Sequence, residues 1–236
     1  MWIFSKVYLN LNLWIWFFWS VDFSYNKIPF IDAKTFQNLN SLTSIDLSYN
    51  KLTSIHSKTF QYVPNLVELN LSGNLLVNID QKTFISLTNL RKILLSNNKL
   101  ASIENDTFLG LNQLAEIDLS YNRITMIYPR LLNGLVNLTK LYFSSNQITS
   151  LDSDTFSGLV NLTKIYLFRN LLTKIDPSTF KGLEKLTEVY LSSNKITSDK
   201  LKLYLEPSVK FFSFKRGIFD NDIQSITMPA SVIYSF

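Results

Sequence analysis

The sequence predicts an α/β solenoid in which 24-residue units stack and add one short strand each to a curved parallel sheet on the concave face. The convex side is expected to be irregular or short helical. Three observations predict this fold: a leucine returns every 24 residues, a short apolar alternation follows it, and an asparagine stands eight positions after it. Self-similarity at a fixed period of this length is the signature of a repeat architecture.

The opening position of the unit holds leucine in seven successive copies, and Phe18 occupies the same register one period earlier. Apolar residues return three and five positions later, as at Leu69 and Leu71 in the unit that Leu66 opens. Because side chains on a strand alternate between its faces, this spacing predicts a strand with one buried face. The opening leucines are Leu42, Leu66, Leu90, Leu114, Leu138, Leu162 and Leu186.

An asparagine follows the strand in every unit. Its side chain carries both a donor and an acceptor, so it can satisfy turn backbone groups whose burial without a partner would cost about 1–3 kcal/mol each. A three-residue strand cannot bury its apolar face alone, but copies stacked at about 4.8 Å form one continuous core. The predicted structural asparagine ladder consists of Asn26, Asn50, Asn74, Asn98, Asn122, Asn146, Asn170 and Asn194.

The second half of the unit predicts the convex side. A phenylalanine recurs there and should form a second stack on the convex side. Because the irregular or short helical backbone of that side is wider than a strand, the solenoid should curve with the sheet on its inner face. Aspartate, as at Asp80, precedes a threonine, as at Thr83, by three residues, which indicates a turn. Unit five departs from this pattern at residues 128–132. The phenylalanine column is Phe36, Phe60, Phe84, Phe108, Phe156 and Phe180.

The residues Leu66, Leu69, Leu71, Asn74 and Leu76 stand in the spacing LxxLxLxxNxL. On this motif the chain resembles the leucine-rich-repeat family over roughly residues 18–200, and its 24-residue "typical" class in particular. That class is found in Toll-like receptor ectodomains and in Slit-type and matrix leucine-rich-repeat proteins. The resemblance implies a non-enzymatic protein–protein interaction module, either secreted or the ligand-binding ectodomain portion of a receptor. An intracellular leucine-rich-repeat scaffold or inhibitor is the alternative, which the absence of cysteine favours.

Composition limits the chemistry. The 23 lysines and arginines exceed the 18 acidic residues by only 5 and are scattered, so we expect no nucleic-acid partner. The absence of cysteine removes thiolate nucleophiles and every cysteine-containing zinc site. His56 is the single histidine and falls in the turn column that holds Asp or Glu in five of the other seven units, so we expect an exposed turn residue. The sequence therefore predicts no catalytic residues, no metal and no cofactor.

We divide the chain into a hydrophobic leader or N-terminal cap at residues 1–17, eight repeats at 18–208, and a degraded ninth repeat with a C-terminal cap at 209–236. The N-terminal run has four interpretations: a secretory leader, a short membrane anchor, a capping strand, or a chain that begins upstream. Membrane association is expected only through the leader or an anchor outside the chain. Near the C-terminus, Val209, Phe212 and Phe214 keep the strand spacing of the repeats.

Four Asn-x-Ser/Thr sequons predict glycosylation. Two of them, at Asn137 and Asn161, fall in an asparagine column of the repeat itself. The same column holds Asn65 and Asn89, which are not part of a sequon. Together with the leader, they favour an extracellular or cell-surface location, with the cytoplasm as the alternative. The predicted glycosylation sites are Asn70, Asn105, Asn137 and Asn161.

The exposed residues of the strands change along the stack. The third strand position holds aspartate or asparagine in the first three units and tyrosine in the last three. Tyrosine suits an exposed strand by propensity alone, but tyrosine and arginine are also enriched where proteins bind proteins. We therefore predict a protein partner with an acidic surface, on a site of Tyr142, Tyr166, Tyr190, Phe168, Arg169, Lys140 and Lys164.

Overall fold

A computed structural model describes residues 19–176 and 178–196, and the backbone of residues 211–213 and 225–226. These residues form a ten-stranded sheet whose strand order follows the chain. The strands are β1 (Ser20–Asp22), β2 (Ser44–Asp46), β3 (Glu68–Asn70), β4 (Lys92–Leu94), β5 (Glu116–Asp118), β6 (Lys140–Tyr142), β7 (Lys164–Tyr166), β8 (Glu188–Tyr190), β9 (Phe211–Ser213) and β10 (Ser225–Ile226). The predicted parallel solenoid, with one strand for each repeat, is confirmed.

From β1 to β8, neighbouring strands pair in a register of one period. Ile117 at the centre of β5 lies opposite Ile93 of β4 and Leu141 of β6, and all three are fully buried. Residues of one sequence column therefore become neighbours in space. The first and third residues of β2 and of β4 to β8 are half-buried on the concave face.

The phenylalanine column packs on the far side of the core as two ring stacks. Phe36, Phe60, Phe84 and Phe108 stack with centroid separations of 5.9, 6.1 and 6.2 Å. Leu132 then takes the phenylalanine position of unit five and is itself buried, which ends the stack there. A second stack, Phe156 with Phe180 at 5.8 Å, continues beyond it.

The asparagine side chains connect consecutive units. The Nδ2 group of Asn122 donates to the backbone oxygens of Leu95 at 3.0 Å and Leu119 at 3.1 Å, and its Oδ1 accepts from the backbone N–H of Leu100 at 3.1 Å. Asn50, Asn74, Asn98, Asn146 and Asn170 make the same three kinds of bond. Asn194 also makes these three kinds of bond, although its side chain is only half-buried. Asn26, at the first unit, is exposed and donates only within its own turn.

The convex segments are turns, and the part of the chain that the structure describes contains no helix. The short helical segments allowed for by the sequence analysis are therefore absent from residues 19–176 and 178–196. In a typical unit the backbone N–H of Thr83 donates to the Asp80 carbonyl at 3.0 Å, and that of Leu87 donates to the Phe84 carbonyl at 2.9 Å. These reverse turns close each unit without the longer runs of residues that a helix needs.

The two ends differ from the repeats. Val21, Phe23, Ile28 and Ile31 of the first unit pack on the core but are only partly buried. At the other end β9 pairs parallel with β8, with Phe212 opposite Val189, and β10 pairs antiparallel with β9. Residues 1–17, and Val209 and Phe214 of the suggested ninth repeat, lie outside the described residues.

Candidate functional site

Three tyrosines lie side by side on the concave face of β6 to β8, and we refer to Tyr142, Tyr166 and Tyr190 as the tyrosine strip. Their ring centroids are 4.5 Å apart in both neighbouring pairs, and the ring planes agree within 8° and 7°. Tyr166 is therefore covered on both ring faces by its neighbours. A molecule that binds the concave face at the strip therefore contacts the edges of the rings and the phenol oxygens.

Lysines flank the strip, and each is paired with a glutamate of an adjacent strand. The Nζ of Lys164 lies 2.7 Å from Oε1 of Glu188, and the Nζ of Lys140 lies 3.7 Å from Oε2 of Glu116. The Tyr190 hydroxyl donates to Oε2 of Glu188 at 2.7 Å. The glutamates come from the same sequence column as the lysines, and register brings them together.

This pairing changes the charge expected from the sequence. The strip is bordered by three cations, with Arg169 as the third, and by three carboxylates, with Asp118 opposite Tyr142 as the third. Lys140 and Lys164 are predicted as cations for an acidic partner, and in the structure both are already ion-paired. Their contact with a partner stays a prediction.

The hydroxyls of Tyr142 and Tyr190 are held in the neutral form. Burial and, next, the Glu116 carboxylate raise the pKa of Tyr142 to about 12. Burial followed by the hydrogen bond to Glu188 raises the pKa of Tyr190. Because phenolate formation requires a pH far above neutrality, both groups are hydrogen-bond donors under physiological conditions.

Phe168 and Arg169 extend the strip toward the turn. Phe168 stands two residues after Tyr166, half-buried, in a column that is otherwise serine. Arg169 is exposed and has a φ of 55°, and within residues 19–176 and 178–196 it forms no ion pair with a carboxylate within 4 Å. All seven residues of the predicted site therefore lie on or beside β6 and β7 or, for Tyr190, β8.

The opposite end of the face is acidic and aromatic, and sequence reasoning found only its acids. Asp46 accepts from the backbone N–H of Ser48 through Oδ1 at 2.8 Å and from Nδ2 of Asn70 through Oδ2 at 3.0 Å. Tyr25 and Tyr49 lie beside it and stack with ring centroids 4.4 Å apart.

These two tyrosines belong to a column whose backbone is left-handed in every unit. Tyr25 and Tyr49 both have a φ of 53° and Gly73 has a φ of 69°. A residue other than glycine pays about 1–2 kcal/mol for this conformation. Glycine and asparagine in the column, at Gly73 and Asn97, are the sequence signal that could have revealed it. The other members are Tyr121, Ser145, Arg169 and Ser193.

The four sequon asparagines occupy different surroundings. Asn70 is half-buried on β3, where its amide bonds Asp46 and the backbone of Ser72. Asn105 is half-buried on the convex side, and its Oδ1 accepts from the backbone N–H of Arg130. The Nδ2 groups of Asn137 and Asn161 donate to carbonyls of the preceding unit at 2.8 Å.

His56 lies in an exposed turn, where its Nδ1 accepts from the backbone N–H of Lys58 at 3.1 Å. The carboxylate of Asp80 accepts the equivalent bond from Lys82 at 2.8 Å. Among the described residues no group of three or more His, Cys, Asp or Glu side chains could hold a metal ion. No helix in that part of the chain has the length and apolar character to cross a membrane.

A family model for the leucine-rich repeat matches four successive segments, residues 20–76, 64–124, 113–172 and 161–201. No curated protein matches the chain. Solved structures of the same fold include a chain of the Drosophila Toll–Spatzle complex, at 24% identity and a TM-score of 0.64, covering 80% of this chain. A chain of the TLR13–ssRNA13 complex also covers 80%, at 24% identity and a TM-score of 0.61. The present chain spans only 28% and 32% of those two chains.

Proposed function

The chain belongs to the leucine-rich-repeat family, and we propose that it is a non-enzymatic module that binds another protein on the concave sheet of β6 to β8. The observation that carries this proposal is the tyrosine strip. Its three rings are stacked at 4.5 Å on strands whose backbones are fixed by the core. A partner that covers the strip gains contact area without first ordering loops, which lowers the entropic cost of binding.

The chemistry of the strip suits a protein partner. Tyrosine edges and neutral phenol groups offer apolar contact together with hydrogen-bond donors, the combination that makes tyrosine frequent at binding hot spots. Lys140 and Lys164 already pair with Glu116 and Glu188. The acidic groups that we expect on the partner would therefore face Arg169 first.

The structural relatives bind different classes of ligand, Spatzle in one complex and single-stranded RNA in the other. Recognition of single-stranded RNA commonly uses open aromatic faces, on which bases stack, and an unpaired positive surface for the phosphates. The strip offers little of either, because neighbouring rings cover both faces of Tyr166 and the two flanking lysines are paired with glutamates, which leaves Arg169 as the site's cation without an ion pair among the described residues. These features favour a protein over RNA.

The binding proposal is tested by identifying a partner through affinity capture and then measuring its dissociation constant with purified protein. Tyr142→Ala, Tyr166→Ala and Tyr190→Ala combined should weaken binding at least about 30-fold, since one hot-spot truncation alone costs about 2 kcal/mol. The matched control combines Lys34→Ala, Lys58→Ala and Lys82→Ala, three exposed positions on the convex side. Loss of binding in the lysine set, with a folded tyrosine set still binding, would contradict the proposal.

The RNA alternative has its own measurement. Fluorescence anisotropy with a labelled single-stranded RNA of mixed sequence should show no saturable binding at physiological salt. Saturable binding that the combined tyrosine variant removes would assign the strip to RNA instead of protein.

The proposal includes location and chain organisation. We place the protein outside the cell or on its surface, with residues 1–17 as a leader or cap, residues 18–208 as the repeats and residues 209–236 as a degraded repeat with a closing cap. The four sequons support this location, and a cytoplasmic scaffold or inhibitor is the alternative. Expression in cells with a secretory pathway, followed by N-terminal sequencing and glycan analysis, distinguishes them. An intact Met1 and no glycan would favour the cytoplasmic alternative.

A further inference from the structure

A second aromatic surface lies at the opposite end of the sheet from the tyrosine strip. We refer to the rings of Tyr25 and Tyr49, with the backbone of Gly73 beside them, as the Tyr25–Tyr49 platform. The two rings stack at 4.4 Å with planes within 11°. Unlike the rings of the strip they are strongly exposed, at 75% for Tyr25 and 47% for Tyr49.

Gly73 gives the platform a fixed base. A Cβ atom placed on Gly73 would lie only 2.7 Å from a ring carbon of Tyr49, so the ring rests directly on the glycine backbone. Tyr49 is thus held between Gly73 in the third unit and Tyr25 in the first. Tyr25 is 75% exposed, so the ring face that is turned away from Tyr49 is open to a ligand.

Neither the backbone nor the core accounts for tyrosine at these positions. The left-handed conformation is common to the whole column and is adopted at least cost by glycine or asparagine, which stand at Gly73 and Asn97. Burial does not explain the side chains either, because both rings are exposed. Exposed aromatic surface of this kind is enriched at binding surfaces.

The platform's turns carry both signs of charge, because Lys27 and Lys51 follow the two tyrosines, but the carboxylates that precede the tyrosines form no ion pair within the described residues. Asp22 and Asp46 stand three residues before Tyr25 and Tyr49 on the concave face, and no lysine or arginine among the described residues lies within 4 Å of either carboxylate. Desolvation, the Tyr49 phenol and then the Asp46 carboxylate raise the pKa of Tyr25.

We propose that the Tyr25–Tyr49 platform binds an arginine side chain from a basic segment of a partner protein. The guanidinium stacks on the open face of Tyr25 and pairs with the exposed Asp22 carboxylate. Arginine fits better than lysine because its planar group can stack on a ring and bond a carboxylate at the same time. This surface is independent of the tyrosine strip, which lies on other strands and has a balanced charge.

The 236-residue chain is titrated with a tetra-arginine peptide, with calorimetry for affinity and NMR of the tyrosine rings for location. Saturable binding should shift the ring resonances of Tyr25 and Tyr49. Tyr25→Ala should lower the affinity about tenfold, and Asp22→Asn about threefold, at low salt. Tyr121→Ala is the matched control, because Tyr121 has the same left-handed backbone and is 49% exposed. It should leave the affinity unchanged.

A glycine pair tests the base of the platform. Gly73→Ala introduces strain and also displaces Tyr49, whereas Gly110→Ala, with a φ of 82° and nothing within 4 Å of the added Cβ, introduces strain alone. Only Gly73→Ala should weaken peptide binding. The proposal is overturned by absence of saturable binding, by equal affinities for tetra-arginine and tetra-lysine, or by a Tyr25→Ala variant that binds as well as the unmodified chain.

Discussion

The buried and exposed faces of the same sheet differ in how their residues change from strand to strand. The central residue of β2 to β8 is always isoleucine, leucine or valine, whereas the third residue passes from aspartate to tyrosine. A buried position must match the volume of the units above and below it, because interiors are close-packed. An exposed position has no such requirement. The constant columns therefore encode the fold, and the changing columns are where binding chemistry can be placed.

The sharpest test of this difference uses two adjacent residues. Leu119 is fully buried and Asp118 is half-buried on the concave face. Leu119→Asp should lower the free energy of unfolding by about 4 kcal/mol or more, because it places an unpaired carboxylate in the core. Asp118→Ala should cost only about 1 kcal/mol, since it removes one hydrogen bond to the backbone N–H of Ser120.

Urea denaturation of both variants measures the two values. Asp118→Asn is a useful third variant, because Asn70 makes the equivalent bond to the backbone N–H of Ser72 in its own unit. It should be close to neutral. Equal losses for Leu119→Asp and Asp118→Ala would mean that the assignment of the two faces is incorrect.

The asparagine ladder should contribute more to stability in the interior of the stack than at its first unit. Asn122→Ala should cost about 3 kcal/mol, because it leaves buried backbone groups of Leu95, Leu100 and Leu119 without their bonds. Asn26→Ala removes only exposed bonds within one turn and should cost less than about 1 kcal/mol. Thermal and urea denaturation compare them, and a larger loss at Asn26 would contradict the ladder as the source of stability.

The fold could be predicted from the sequence because each core requirement repeats every 24 residues. A single occurrence of Leu66 or Asn74 says little, but the same residue type at one position of successive units fixes strand, register and face together. The tyrosine strip followed directly, since equal column positions become neighbours in a parallel sheet.

Other features of the site depend on three-dimensional relations that a column does not contain. The pairing of Lys164 with Glu188 requires side-chain conformations as well as register. The Tyr25–Tyr49 platform requires the left-handed backbone and the absence of a Cβ at Gly73. Neither feature follows from hydrophobic periodicity, which indicates only which face of a strand or helix is buried.

A substitution in the threonine column on the convex side should stabilise the protein, whereas most of the substitutions above destabilise it. The buried hydroxyl of Thr83 has no hydrogen-bond partner, and unit five places Leu131 at the equivalent position. Thr83→Val keeps the shape and removes the unpaired group, so it should raise the free energy of unfolding by about 1 kcal/mol. Thr139→Val is the control, because the Thr139 hydroxyl donates to the Ala115 carbonyl at 2.8 Å and its loss should destabilise. Differential scanning calorimetry should give shifts of opposite sign.

The last test concerns the exposed face itself. The pKa of Tyr142 is raised to about 12, by burial first and by the Glu116 carboxylate next, above the ordinary value of 10.0 that the unfolded chain should have. The folded state therefore binds the phenol proton more tightly, so its contribution to stability is complete below pH 10 and is lost as the pH rises toward 12. Tyr142→Phe has no phenol proton and should lose less stability over that window than the unmodified chain. Urea denaturation of both proteins from neutral to strongly alkaline pH measures the difference, and subtraction of the two curves removes the titration of lysines that both contain. Curves that stay parallel up to pH 12 would show that the Tyr142 hydroxyl is solvated and that the strip is more open than its stacked rings indicate.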